Sequence, residues 1–171
     1  MKPFFPAIFL ITITMSCQEN EPVNKEFTGN ETTYALLPGS AYNVSGSVTL
    51  REKVDGFSLI VIQLSGTEGD IEHPVHLHVG NIETPNAAIL ALLNPVIGKT
   101  GMSETDFYQL SDERNITYQE LIHLDASIKV HLAASGPEKD IVLAAGNIGS
   151  NIGGHEHHGG RKVDVAVCQS E

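Results

Sequence analysis

Apolar and polar positions alternate with a period of two over long stretches of this chain. Val44, Gly46, Val48 and Leu50 interleave with Ser45, Ser47 and Thr49, and Ile128, Val130 and Leu132 interleave with Lys129, His131 and Ala133. Val163, Val165 and Val167 repeat the pattern near the C-terminus, with Cys168 in the opposite phase. Strand side chains point alternately to the two faces, so each stretch predicts a strand with one buried face. Phe57 to Leu64 is almost continuously apolar and predicts the most buried strand, entered through a hairpin turn at Asp55-Gly56. Met102 to Leu110 and Asp140 to Ala145 add two more strands, the second closed by Gly146-Asn147. Ala87 to Leu93 reads equally as a short helix or a buried strand, ended in either case by Asn94-Pro95.

Thr117-Tyr118-Gln119-Glu120 has the form of a capping box and predicts a short helix from Tyr118 to Leu124, with His123 on its surface. Gly66 to Asp70, Asn81 to Asn86 and Gly98 to Gly101 read as loops or turns. Many short strands, frequent turns and one short helix predict an all-β fold, a Greek-key antiparallel β-sandwich.

One strand concentrates the candidate chemistry. Glu72 to Gly80 holds three of the eight histidines. His76 and His78 share one face, and Val75, Leu77 and Val79 share the other. Pro74 cannot donate to a ladder, which places His73 at the mouth of the strand. His131 lies on the polar side of its own strand. If the two strands are neighbours, facing Cβ atoms come within about 4.5–5.5 Å, close enough for three imidazoles to converge on one ion. Neutral imidazole suits copper and zinc, and three such ligands leave one position open. The competing reading is three exposed histidines hydrogen-bonded to loops. His73 is a secondary metal candidate, as are His155, His157 and His158 in the glycine-rich stretch Gly153 to Gly160. Those last three suit either loose scavenging of metal or a solvated loop.

The N-terminus adds a location. Lys2 followed by the apolar run Phe4 to Met15 reads as a secretory signal peptide, too short to span a bilayer as a helix. Thr14-Met15-Ser16-Cys17 resembles a bacterial lipobox, which implies a lipidated Cys17 as the first residue of the mature chain. Residues 1–17 are then signal and lipobox, 18–40 a polar tether, and 41–171 the domain, with Tyr34, Leu36 and Leu37 touching it from the tether. No later stretch is long and apolar enough to cross a bilayer, so attachment comes from acyl chains. The expectation is an exported, membrane-anchored lipoprotein of a bacterial outer membrane or cell surface.

The formal charge of −11 lacks the basic footprint of a nucleic-acid binder, and that class is excluded. With Cys17 lipidated, Cys168 is a lone thiol and no disulfide braces the fold; it reads as a half-buried structural residue. No serine sits in a Gly-x-Ser-x-Gly elbow, no phosphate-binding glycine loop is present, and the carboxylates are scattered. No catalytic residue is assigned.

His73-Pro-Val-His-Leu-His78 followed by Gly80 resembles the signature strand of bacterial CHRD (chordin-type) domain proteins. Further pieces follow in the same order: Gly46 to Leu50 precedes it, then come Asn94-Pro95-Val96 with Ser103 and Thr105, and Ile116-Thr117-Tyr118 with Glu120-Leu121. Val130-His131-Leu132 and Ala144 to Gly149 complete a resemblance running from Tyr42 to Asn151. It implies a β-sandwich without an established catalytic activity. The His-x-His strand and the later Val-His are also similar to the Cu/Zn superoxide dismutase sandwich, a similarity that implies copper-type ligands at His76, His78 and His131. The chain carries no recognisable zinc-binding loop and no disulfide pair of that family. These readings predict a lipid-anchored binding module that captures copper or zinc without turnover. The alternatives are a copper-dependent superoxide dismutase-like redox enzyme and a metal-free structural or adhesive surface domain. No protein partner is indicated.

Overall fold

The alternating stretches form strands that pair antiparallel throughout. The structure, a computed structural model, describes residues 26–150, and within them lie eight strands and one helical turn. The elements are β1 (Phe27–Pro38), β2 (Ser45–Lys53), β3 (Ser58–Ser65), β4 (Glu72–Val79), β5 (Ile89–Ile97), β6 (Met102–Phe107), α1 (Tyr118–Leu121), β7 (Asp125–His131) and β8 (Val142–Gly149). Neighbours follow the order β1-β2-β3-β6-β5-β4-β7-β8, and β8 returns to β1 through Leu37↔Ala145 and Pro38↔Ala144. The sheet therefore closes into a barrel, where the pattern predicted a sandwich. The all-β class and antiparallel pairing hold, and β3 lying beside β6 makes β3 to β6 a Greek key. Closure is invisible to a period of two, which reports faces and not edges.

Several boundaries move. Residues 27–38, read as part of a tether, are β1, and Tyr34 and Leu36 are buried in the core while Leu37 is 37 % exposed. The apolar strand after Asp55-Gly56 buries one face only, Ser58, Ile60, Ile62 and Leu64. The most enclosed strands are instead β7, buried from Ala126 to His131, and β8, which runs through Gly146-Asn147 to Gly149. The α1 turn is shorter than predicted, but its capping box is complete: Thr117 Oγ1 accepts from the Glu120 N–H, and the Glu120 carboxylate accepts from the Thr117 N–H. Among the described residues no helix is long and apolar enough to cross a membrane.

Asn94-Pro95 does not end its segment, because β5 continues to Ile97. The ladder with β4 slips between His73 and Val75 and again between Leu77 and His78, each time with an extra residue on β5, and the first slip absorbs Pro95. Side chains join β5 to β6, which share a single registered pair, Ile97↔Met102. The Asn94 amide side chain donates to the Glu104 carbonyl at 2.7 Å, its backbone N–H donates to Thr105 Oγ1 at 2.9 Å, and Ser103 Oγ–H donates to the Asn94 carbonyl at 2.6 Å.

The β4–β5 connection folds against the outer face of β8. Ile82 packs with Val142 and Ala145 in a small apolar cluster outside the barrel, and its N–H donates to Asn147 Oδ1 at 2.8 Å.

Candidate metal centre

β4 and β7 are hydrogen-bonded neighbours, with His76 opposite Lys129 and His78 opposite Ser127. On β4 the alternation sends Val75 and Leu77 inward and His76 and His78 outward. Val79, expected with the inward set, is 40 % exposed at the strand's end. On β7 it sends Ala126, Ile128 and Val130 into the barrel core and leaves Ser127, Lys129 and His131 on the outer face. His131 is thereby a diagonal neighbour of His76, and the ring centroids lie 4.7 Å apart. The rings of His76 and His78 are 5.7 Å apart at 63°. One nitrogen from each of the three imidazoles lies within 4.8 Å of the others, so His76, His78 and His131 form a group able to hold a metal ion.

Two carbonyls orient two of the rings. His78 Nδ1–H donates to the Ala87 carbonyl at 3.0 Å, and His131 Nδ1–H donates to the Lys139 carbonyl at 2.9 Å. Each bond fixes the tautomer in which Nε2 carries the lone pair, the arrangement that prepares an imidazole for a metal. The Ala87 carbonyl comes from the β4–β5 connection and that of Lys139 from the β7–β8 connection.

The electrostatics keep the rings neutral. Burial, with the neighbouring His131, pushes the pKa of His76 down to about 4. Burial also pushes His78 to about 4; the Ala87 carbonyl opposes the shift, and Lys129 and His76 add to it. His131 is lowered by burial as well, opposed by the Lys139 carbonyl and by Asp140, and reinforced by His78 and Lys129. At neutral pH all three offer lone pairs.

The donor set fits a transition ion on a second count. His76 Nδ1 and His131 Nε2 are buried without a hydrogen-bond partner. Buried polar atoms are nearly always paired, and an unpaired one costs about 1–3 kcal/mol. Two such atoms in one cluster are what a coordinated cation would satisfy.

The other predicted histidines are placed apart. His73 is the second residue of β4, in phase with Val75 and Leu77, and its Nδ1–H donates to the Leu132 carbonyl at 3.1 Å. His123 is exposed beside α1, its Nδ1–H donating to the Gln119 carbonyl. His155, His157, His158, Cys17 and Cys168 lie outside the described residues. Sequence reasoning missed the parts Ser127 and Lys129 play in this patch. The alternation that set His131 on the polar side of β7 set them there too, but that side reads as solvent-facing until the connections over it are known. Both are fully buried. No protein family, curated protein or solved structure matches the chain.

Proposed function

We propose that this chain is an exported, lipid-anchored module of CHRD type that captures a transition metal through His76, His78 and His131. The observation that carries the reading is the pair of buried, unpartnered imidazole nitrogens, His76 Nδ1 and His131 Nε2, inside a three-histidine cluster 4.8 Å across. Copper and zinc are the ions whose chemistry suits three neutral imidazoles. The location rests on the signal-like run and the lipobox-like Thr14 to Cys17.

A second reading, a copper-dependent redox enzyme, is favoured by one feature. His76 is only partly buried, so one side of the cluster opens toward solvent and would admit a small substrate. A bound copper would supply the electron transfer; the chain's residues would hold the ion and keep the three rings deprotonated.

Copper and zinc titration of the purified protein tests both readings, with His76→Ala and His131→Ala alongside. One ion per chain, lost in both variants, supports capture. Superoxide consumption by the copper-loaded protein promotes the enzyme. Equal binding in all three proteins moves the site to the glycine-rich histidines and defeats the reading.

A further inference from the structure

β1 is fully partnered along one edge and barely along the other. Its register with β2 is unbroken from Glu31 to Leu36, but on its far side it meets β8 only at Leu37 and Pro38 among the described residues. The far edge from Glu31 to Leu36 therefore presents backbone N–H and C=O groups that none of the eight strands answers. Where such an edge faces water, folded chains blunt it with lysine, proline or a bulge. Thr32-Thr33-Tyr34-Ala35-Leu36 has none of these, its threonines and tyrosine favour a strand, and Thr33 and Ala35 are exposed. The other short ladder, β5 to β6, is closed by the side chains of Asn94, Ser103 and Thr105. At the β1–β8 seam the Tyr34 hydroxyl reaches across and hydrogen-bonds the backbone of Gly149. That bond places the end of β8, and Ser150 after it, within a tyrosine's length of the free edge.

The sequence supplies an occupant. Val163-Asp164-Val165-Ala166-Val167-Cys168 alternates with the period of a strand and has six residues, as many as the edge from Glu31 to Leu36. Its valines share one face, suited to the core beside the buried Tyr34, Leu36 and Ile148, and Asp164 falls on the opposite face. Residues 151–162 lead to it from Ser150 and reach about 40 Å when extended. A strand of six residues needs only about 20 Å, so the whole edge is within range.

We propose that residues 163–168 add to the free edge of β1 as a further strand and complete the seam between β1 and β8. The inference is independent of metal capture. It gives an intramolecular partner to an edge whose unpaired backbone would otherwise invite a strand of another chain.

The test is amide hydrogen exchange by nuclear magnetic resonance on the full chain, wild type against Val165→Pro. Proline lacks the N–H a ladder uses, and position 165 lies outside the eight-strand barrel. Within Glu31 to Leu36, the amides that point away from β2 should be protected in wild type and should exchange about tenfold or more faster in Val165→Pro, while β2 and β3 keep their rates. A nitroxide on Cys168, in protein carrying Cys17→Ser, gives a second reading and decides the matter if Val165→Pro does not fold. Its broadening should centre on β1. Wild-type edge amides that exchange freely would overturn the inference, as would equal protection in the variant or broadening centred on another strand. Protection that appears only at concentrations where the chain sediments as a dimer would give the edge to a second copy, and overturns it too.

Discussion

The rings of His76 and His131 stand 4.7 Å apart, yet Nδ1 of one and Nε2 of the other are buried with nothing to hydrogen-bond. Without metal, the cluster is therefore a local weakness in the barrel. An unpaired buried acceptor costs about 1–3 kcal/mol, and its removal by an apolar side chain of similar size recovers part of that. His76→Leu should thus raise the thermal midpoint of the metal-free protein by about 2–5 °C. The same variant should lose the further rise that excess copper or zinc gives wild type, since a ligand that binds only the folded state stabilises it. Differential scanning calorimetry with and without metal reads both effects. A metal-free His76→Leu protein well below wild type would show that Nδ1 already has a partner.

Protons act on the same residues. The pKa values of His76 and His78 are near 4 when folded, against 6.5 for an unperturbed histidine. Between those values the unfolded chain binds protons that the folded chain refuses, so stability rises with pH across that window. The stabilisation is complete above about pH 6.5 and is lost progressively as pH falls toward 4, on the order of 2–3 kcal/mol for fully buried His78. Urea unfolding of the metal-free protein from pH 7.5 to 4.5 should show a falling midpoint. A His78→Gln variant should flatten that slope, and an unchanged slope would mean that the ring is not desolvated.

The strand faces were legible because period two is a local property. Val48, Leu50, Ile128 and Val130 went inward as the alternation requires. His76, His78 and His131 fell on the outer sides of β4 and β7, and whether those strands are neighbours is a long-range fact that alternation does not contain. The same limit hid barrel closure and the enclosure of Ser127 and Lys129. Residues 27–38 were read as tether because polar residues, Asn30 to Thr33 among them, outweigh Tyr34 and Leu36 in composition, although pairing with β2 decides the matter. Pro95 misled in the opposite direction, since a bulge accommodates a proline that a regular ladder would refuse.

The β5–β6 seam explains why Asn94, Ser103 and Thr105 occur together. With one registered pair between the strands, these side chains supply most of the joining hydrogen bonds. Asn94→Ala removes the bond to the Glu104 carbonyl and should cost about 0.5–1.5 kcal/mol in chemical denaturation. Amide exchange should accelerate in β5 and β6 while β7 and β8 keep their protection. Uniform acceleration would show that the seam is not a separate weak point.

Closure of the barrel has its own probe. A Cβ on Gly146 would meet the carbonyl of Ala35 and the Leu36 side chain, where β8 passes β1. Those strands share only two registered pairs, so they have little ladder to absorb a shift. Gly146→Ala should destabilise the fold by about 1–3 kcal/mol, the usual range for overpacking. Exchange of the Gly39 amide, which donates to the Leu143 carbonyl, should rise first. An unaffected Gly39 amide would argue that β1 and β8 are apart in solution, as in an open sandwich.

The last prediction concerns how an ion comes and goes. Ile82 and Ala87 lie on one connection, the first seated on Val142 and Ala145 and the second holding the His78 ring through its carbonyl. Shortening Ile82 to alanine empties the apolar seat without touching a ligand, a large-to-small change that costs about 2–5 kcal/mol in a tightly packed site and less where a surface loop can settle. The connection should then open more often, and the Ala87 carbonyl should hold His78 less firmly. Metal release to a chelator should accelerate by tenfold or more in Ile82→Ala, measured by stopped flow, while the stoichiometry stays at one ion per chain. Equal release rates in wild type and variant would mean that the ion leaves past His76 alone, and that the connection orients a ligand without gating the site.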